Sequence, residues 1–378
     1  MNEFMFRDKE IRRIQTALQR KESILLVGIR RIGKTQLMKE ICRRHDGPTK
    51  PVYLDVIDYT SLSKFYSDLL SKMPGPLLQH AANLLQAAQS TPEKIMNWLR
   101  RHITKARYKG SEIDLRDADE AAIIRYWEPI AEAMLKSLES SSDSGEIPFF
   151  AIDEFPFMLE NLLVRRKVPA EDVTIALATL RKLRVGGIPM ILSGSISLEN
   201  LLTLHNIPHT VLGALQRENL RPFSYPEARI YLETRLTNHP TAVKIDDVLN
   251  RLPDHIPDFL NQSAHFLSGL PDADNVDVVM DNEVLPAIWR SFNEQFQERL
   301  NKNYPGEELP CAEQLLDQLA KAPETGVSIG TSKLSTAHRR ALTKLKYDMF
   351  IEEASDYGFR FTLKLLRLWW RNQRGITE

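Results

Sequence analysis

Gly28-Ile29-Arg30-Arg31-Ile32-Gly33-Lys34-Thr35 spells G-x-x-x-x-G-K-T, and its neighbours give it the setting that spacing needs. The five residues before it, Ser23-Ile24-Leu25-Leu26-Val27, form a short run suited to a buried strand. After it, Leu37, Met38 and Ile41 recur at helical spacing as far as about His45. Strand, glycine-bearing turn and helix in this order predict a phosphate cradle. The two glycines let the backbone curl so that successive N–H groups point at a β-phosphate, and the helix N-terminus adds the positive end of its dipole. The stretch therefore predicts a nucleoside triphosphate site built from Gly28, Arg30, Arg31, Ile32, Gly33, Lys34, Thr35 and Gln36. Lys34 is expected to reach the β- and γ-phosphates, and the Thr35 hydroxyl to ligate Mg²⁺. Arg30 and Arg31 read equally well as phosphate contacts, as contacts to an acidic partner, or as a solvated loop face.

Outward from the loop, Pro51–Val56 reads as a second strand. Residues 61–140 look mostly helical, with amphipathic pieces near Leu77–Ala88, Pro92–Thr104 and Glu120–Leu138; they form a long insertion over about 60–146. The polar tract Glu139–Gly145 leads into Ile147–Ile152, a buried strand. A helix over Ala170–Val185 stops at Gly186-Gly187, and Ile188–Leu192 and Gln216–Leu220 supply a fourth and a fifth strand. Strands alternating with helices predict an α/β domain over residues 1–223, a parallel sheet sandwiched by helices. From Ser224 onward strands nearly vanish. Tyr225–Thr237, Lys244–Gly269 and Val276–Tyr304, with a break near Pro286, predict a helical domain over 224–300. Cys311–Ala320 and Ser335–Leu345 then read as short helices, followed by alternating Phe350–Glu353 and Phe359–Thr362 around Asp356-Tyr357-Gly358. Helices followed by a hairpin suggest a winged-helix module over 301–378.

The residues with chemistry to offer lie at strand ends. Phe149-Phe150-Ala151-Ile152-Asp153-Glu154 ends a buried strand in two carboxylates. Asp153 is expected to hold Mg²⁺ through water, and Glu154 to orient and polarise an attacking water. In Ile191-Leu192-Ser193-Gly194-Ser195, either serine is placed to meet a γ-phosphate or that water. Arg217 and Arg221 are the nearest candidates for a cation completing a neighbouring copy's site, though either could pair locally. The C-terminal module carries His338, Arg339, Arg340, Lys344, Lys346, Arg360, Lys364, Arg367, Arg371 and Arg374, the footprint expected of a duplex-DNA reader. A solvated helix in a protein-contacting domain is the alternative.

Bulk numbers exclude more than they select. Fifty Lys plus Arg balance fifty Asp plus Glu across 378 residues, so any basic surface is local. Two distant cysteines, Cys42 and Cys311, argue against a disulfide framework or a metal cluster and fit a reducing, cytoplasmic setting. The N-terminus lacks the blocks of a signal peptide, and no apolar run approaches the length that spans a bilayer.

Taken together, these motifs resemble the archaeal-type ATPases of the STAND branch of P-loop proteins, relatives of AAA+ ATPases of the ASCE type. Phe6-Arg7-Asp8-Lys9-Glu10-Ile11 resembles that family's F-x-G-R-x-x-E-L box, Gly28–Thr35 its G-R-R-x-G-K-T loop, and Phe149–Glu154 its acidic motif. Leu192–Ser195 is similar to its sensor strand, and Leu220-Arg221-Pro222-Phe223-Ser224-Tyr225-Pro226-Glu227-Ala228 to its L-x-P-F-S-x-x-E-A signature. The resemblance implies that Phe6 and Arg7 lie against the nucleotide base and that the lid segment ending in Pro257 senses the nucleotide. Two departures stand out: Phe6 replaces a usual glycine, and Asp254-His255-Ile256-Pro257 keeps only the proline of G-G-x-P. No guanine-reading N/T-K-x-D motif follows the fourth strand, so ATP with Mg²⁺ is the expected cofactor pair. Two functions of different class follow. One is an ATP-hydrolysing switch acting on DNA, in defence or mobile-element biology, whose ATP and ADP states differ in exposure of the lid, the winged helix or a homo-oligomer surface. The other is a nucleotide-dependent scaffold that controls an effector protein.

Overall fold

The strand that leads into the motif is apolar throughout because both of its faces are covered. A computed structural model describes residues 6–87, 93, 97, 120–140, 147–237, 245–268, 276–354 and 358–376. The expected helix at 92–104 falls almost wholly outside them, as do most of the polar tract ending at Gly145 and the hairpin tip at Asp356-Tyr357. The chain divides into two compact units, Met1–Val27 with Lys34–Asn219, and Gly28–Gly33 with Leu220–Glu378.

The first unit opens with α1 (Asp8–Gln19), which buries Ile11, Ile14, Ala17 and Leu18 on one helical face. It continues through β1 (Ile24–Val27), α2 (Lys34–Arg44), β2 (Lys50–Asp55), α3 (Leu62–Ser71), α4 (Gly75–Ala87), α5 (Glu120–Ser140) and β3 (Pro148–Asp153). Next come α6 (Phe155–Glu160), α7 (Ala170–Val185), β4 (Met190–Ser193), α8 (Leu198–Leu204) and β5 (Gln216–Asn219). Among the described residues these strands form one sheet in the order β2-β3-β4-β1-β5, parallel at every pairing. β1, β3 and β4 are buried at every position, as interior strands of a parallel sheet must be. The edge strand β5 is polar instead, Gln216-Arg217-Glu218-Asn219. Helices α3, α4 and α5 of the insertion extend the same core through Phe65, Leu69, Leu78 and Met134. There Tyr66 stacks on Trp127 with ring centroids 3.9 Å apart. The helix α6, which lengthens through a π turn at Asn161–Arg165, has no counterpart in the sequence reading.

The second unit begins with α9 (Tyr225–Leu236), entered through a capping box in which Ser224 and Glu227 satisfy each other's backbone N–H groups. The stretch Lys244–Gly269, expected to be helical, holds two helices, α10 (Ile245–Arg251) and α11 (Pro257–Ser268). Pro253 has no N–H to continue the first, and Pro257 is suited to opening the second. The expected break near Pro286 is a π turn at Met280–Val284, linking α12 (Val276–Val279) to α13 (Leu285–Asn303). A regular helix would press the Pro286 ring against the carbonyl four residues earlier, and the wider turn relieves that clash.

The remainder comprises α14 (Glu308–Lys321), β6 (Val327–Ser328), α15 (Thr336–Tyr347), β7 (Ile351–Glu353), β8 (Gly358–Phe361) and α16 (Lys364–Arg374). The three strands form an antiparallel sheet in the order β6-β8-β7. An aromatic chain joins these elements: Phe259 meets Phe292 at 5.1 Å, Phe296 meets Phe350 at 5.7 Å and Trp369 at 5.4 Å. Trp369 donates to Asn293 Oδ1 at 2.9 Å and Trp370 to Asp317 Oδ1 at 2.8 Å, so neither indole N–H is left unpaired. The Asp254 carboxylate accepts the Leu365 N–H at 2.7 Å and the Lys364 N–H at 3.4 Å, capping α16 from the α10–α11 turn. Burial outweighs these bonds and pushes the Asp254 carboxyl up to about 6. Among the described residues no helix is long and apolar enough to cross a membrane.

Candidate nucleotide site

Parallel strands place all their C-terminal ends along one edge of a sheet, where the open α/β folds hold their ligands. In the first unit that edge carries Asp153 at the end of β3 with Glu154 after it, and Ser193 at the end of β4 with Ser195 two residues on. β1 ends there too, and the chain returns to the first unit at Lys34 and Thr35, which begin α2. Lys34 is buried, Thr35 half-buried and Gln36 exposed. Between them, Gly28–Gly33 clusters with the second unit. Its backbone turns through positive φ at Arg31 (71°) and Gly33 (100°), the second being comfortable only for glycine. Arg31 is paired, its Nη1 lying 3.2 Å from Asp258 Oδ2 in the first turn of α11, beside Pro257. Arg30 is exposed.

Asp153 is almost wholly buried and firmly held. Its Oδ2 accepts the Tyr53 hydroxyl at 3.0 Å and its Oδ1 the Glu154 N–H at 3.1 Å. Register explains the first bond. Asp55 stands opposite Asp153 and Tyr53 opposite Ala151, so Tyr53, two residues back along β2, shares the face of Asp153. Burial and the adjacent Asp153 raise the Tyr53 hydroxyl well above its ordinary range, which keeps it a donor. Tyr53 is the residue that sequence reasoning missed. Only the β2–β3 register reveals it.

Glu154 adopts a left-handed conformation (φ 55°) at the head of α6, and its side chain makes no cap bond to that helix. Its carboxylate crosses to the turn after β4, where Oε2 accepts the Ser195 N–H at 3.0 Å and the Ser195 hydroxyl at 2.8 Å. Gly194 makes this approach feasible, since a Cβ there would lie 2.4 Å from Pro156 Cδ. Ser193 differs: it is fully buried and its hydroxyl has no hydrogen-bond partner. The two serines that the sequence left equivalent are thus distinct.

The flanking box, Phe6–Ile11, straddles the start of α1. Phe6, standing where the resemblance expects glycine, takes φ 63°, a conformation costly for a residue with a Cβ. Arg7 is buried and pairs with Glu10 at 3.3 Å. On α2, hydrogen bonding to Arg43, reinforced by Arg44, lowers the Glu40 carboxyl to about 2. Burial lifts the Cys42 thiol to about 11, so it is a packing residue rather than a nucleophile.

The candidate metal donors fit Mg²⁺ in kind. Among the described residues no group of three or more His, Cys, Asp or Glu side chains is gathered. Mg²⁺ bound with a nucleotide needs only one or two protein oxygens besides phosphate and water, and the Thr35 hydroxyl and Asp153 carboxylate are of the kind that would supply them.

The C-terminal cations are less available than their sequence suggests. Lys344 is buried against Glu308 and the Asn303 carbonyl. Lys346 pairs with Glu353, Arg360 with Glu352, and Arg374 with Asp317. Arg367 and Arg371 donate to the Ala320 carbonyl, and His338 is engaged by Ser335 and Gln314. Arg339, Arg340 and Lys364 are exposed. The two arginines considered for action on a neighbouring copy are also paired, Arg217 with Glu199 and Arg221 with Glu352.

No protein-family model matches the chain, and no curated protein sequence matches it. Among solved structures it is similar to the ORC2 protein of Aeropyrum pernix in its ADPNP–ADP complexes, with 13% identity over 99% of this chain and 96% of that one and a TM-score of 0.49. The ADP form of the same protein gives 13% identity over 100% and 96% at the same TM-score. A signal-transduction ATPase with numerous domains from Pyrococcus horikoshii, bearing a tetratricopeptide-repeat sensor, gives 15% identity and a TM-score of 0.40, with 99% of this chain spanning 43% of that one. The α/β P-loop fold stands on this chain's own strand order and loop: five parallel strands between helices, with G-x-x-x-x-G-K-T directly after β1.

Proposed function

We propose that this chain binds and hydrolyses ATP and serves as a nucleotide-dependent switch. The observation that carries the reading is the shared sheet edge: the end of β1, from which the phosphate loop departs, and the paired carboxylates after β3 flank β4 with its unpartnered Ser193 hydroxyl. Lys34 neutralises charge on the β- and γ-phosphates, and the backbone N–H groups of the loop cradle them. Thr35 and Asp153 would hold Mg²⁺, which when bound shields the phosphate charge. Tyr53 fixes the orientation of the Asp153 carboxylate for that task. Glu154 orients the attacking water and receives its proton, and Ser193 supplies a hydroxyl to that water or to the γ-phosphate. The lid segment at Pro257 and the winged-helix module read the nucleotide state through differential contacts.

The paired cations of the C-terminal module favour a second reading, a scaffold that holds or releases an effector protein with slow turnover. Of the cations considered for duplex DNA, Arg339, Arg340 and Lys364 are exposed and without a side-chain partner named above. The experiment is ATP binding and steady-state hydrolysis by the whole chain, with and without duplex DNA, beside Lys34→Ala and Glu154→Gln. We expect Lys34→Ala to lose binding and Glu154→Gln to bind but not hydrolyse. ATP binding that ignores Lys34, or none at all, overturns the proposal. Tight Lys34-dependent binding without turnover leaves the scaffold reading.

A further inference from the structure

We propose that the cavity at the root of the β7–β8 hairpin is a second anion site, built for a phosphate dianion: inorganic phosphate or the headgroup of a small phosphomonoester. The backbone sets up the site. Past the end of β8 the chain stays extended: the Thr362 N–H donates to the Phe350 carbonyl at 3.0 Å, and Leu363 holds φ −134° and ψ 146°. Side chains of an extended chain alternate, so buried Phe361 and Leu363 take one face and Arg360 and Thr362 the other. Lys364 follows as the first residue of α16, and Arg367 stands about one turn on. With Arg221, these residues line a cavity of about 190 Å³. That is below the roughly 300–1,000 Å³ of a site enclosing a whole drug-sized ligand, and it suits one charged headgroup.

Charge selects the ligand. Four cations, Arg221, Arg360, Lys364 and Arg367, meet two carboxylates in the lining, Glu324 and Glu352, so positive charge is in surplus by two. Glu352 lies opposite Arg360 across the ladder and serves both Arg360, at 2.7 Å, and Arg221, at 2.6 Å. Arg367 is held by the Ala320 and Ala322 carbonyls, with Glu324 3.6 Å away. Two donors of this lining are buried without an acceptor, the Thr362 hydroxyl and the Arg367 Nε–H. A buried donor left so is costly, and a phosphate oxygen is the kind of acceptor both lack. A phosphomonoester carries about two negative charges at neutral pH and three strong acceptor oxygens, which answers both the surplus charge and the unpartnered donors. The N-terminus of α16 takes no part, because Asp254 accepts its Lys364 and Leu365 N–H groups. Arg360, Lys364 and Arg367, first considered for duplex DNA, thus gather round a cavity whose lining includes neither Arg339 nor Arg340.

The test is calorimetric binding of inorganic phosphate and of glycerol phosphate to the whole chain, as wild type, Lys34→Ala, Thr362→Val and Lys364→Met. Lys34→Ala takes the phosphate loop out of the comparison. We expect binding that survives Lys34→Ala and weakens about tenfold in Thr362→Val, from loss of one hydrogen bond to a charged group. Lys364→Met should weaken it too, with ATP affinity within about twofold of wild type in both variants. Thr362→Val removes a buried hydroxyl that has no partner, so it should be no less stable to denaturant than wild type, and its loss of binding is not a loss of fold. Tighter binding of the glycerol ester marks a phosphomonoester headgroup and tighter binding of phosphate marks the free ion; either supports the site. No saturable binding of either at millimolar concentration overturns the proposal, and so does binding that Lys34→Ala abolishes or that Thr362→Val leaves untouched. Duplex DNA that binds through Lys364 while neither small ligand binds also overturns it, and marks the lining as a nucleic-acid surface.

Discussion

Asp254→Asn is expected to stabilise the protein, by an amount that depends on pH. The Asp254 carboxyl, ordinarily near 3.8, is raised to about 6 by burial at the head of α16. Between those two pH values the folded chain holds a proton that the unfolded chain has released. Folding stability therefore falls as pH rises through this window, by about 1.4 kcal/mol per unit, and is flat above it. A shift from 3.8 to about 6 limits the total to about 3 kcal/mol, the cost of keeping this carboxylate ionised in its folded setting. The Asn variant carries no such proton and retains an oxygen that can accept the Leu365 N–H. Other titrating groups are common to both proteins and cancel in the difference. Chemical denaturation of both chains at intervals from pH 4 to pH 8 should show a gap near zero at the acid end. That gap should widen in favour of the variant up to about pH 6, and then stay constant. A difference that does not vary with pH, or a variant that loses ground as pH rises, refutes the assignment of a raised carboxyl to Asp254.

Three further outcomes follow from contacts at the site and in the second unit. Tyr53→Phe removes the donor to the buried Asp153 Oδ2 while keeping the ring, and should lower Mg²⁺-dependent ATP hydrolysis about tenfold and stability by about 1–3 kcal/mol; full activity would show that Asp153 needs no such support. Gly194→Ala drives a Cβ to within 2.4 Å of Pro156 Cδ and should cost about 1–3 kcal/mol in denaturation, with wild-type stability counting against the close approach of β4 to α6. Lys344→Met leaves Glu308 without its buried partner and should destabilise by about 3–5 kcal/mol, whereas a surface lysine reading DNA would lower DNA affinity and leave stability alone.

The sheet was legible because its interior strands have both faces covered. Ile24–Val27 and Phe149–Ile152 are unbroken apolar runs with no solvent face to interrupt them. Helix ends were legible where a side chain marks them, as Ser224 and Glu227 do for α9. The helix α6 was not, because Phe155-Pro156-Phe157-Met158-Leu159 is apolar on every side and shows no helical period. The split between α10 and α11 was hidden by apolar spacing that continues across Pro253 and Pro257. At the site, the residues named from the sequence are those of a contiguous motif or a strand end. Tyr53, and the division of labour between Ser193 and Ser195, depend on which strand lies beside which, and one chain's pattern does not encode that. The C-terminal cations misled for a related reason. Lys344 and Arg374 look solvated in sequence, and only folding brings Glu308 and Asp317 to them.

The place of β4 between β1 and β3 also fixes a length. Neighbouring strands lie about 4.8 Å apart, so the end of β1 and the end of β3 are separated by about 10 Å, twice that spacing. Under the proposed function, a phosphoryl group and the water that attacks it would have to fit within that interval, with the Ser193 strand end at its midpoint. The backbone pitch of the sheet, which a change of side chain leaves in place, would then act as the ruler between nucleotide and Glu154.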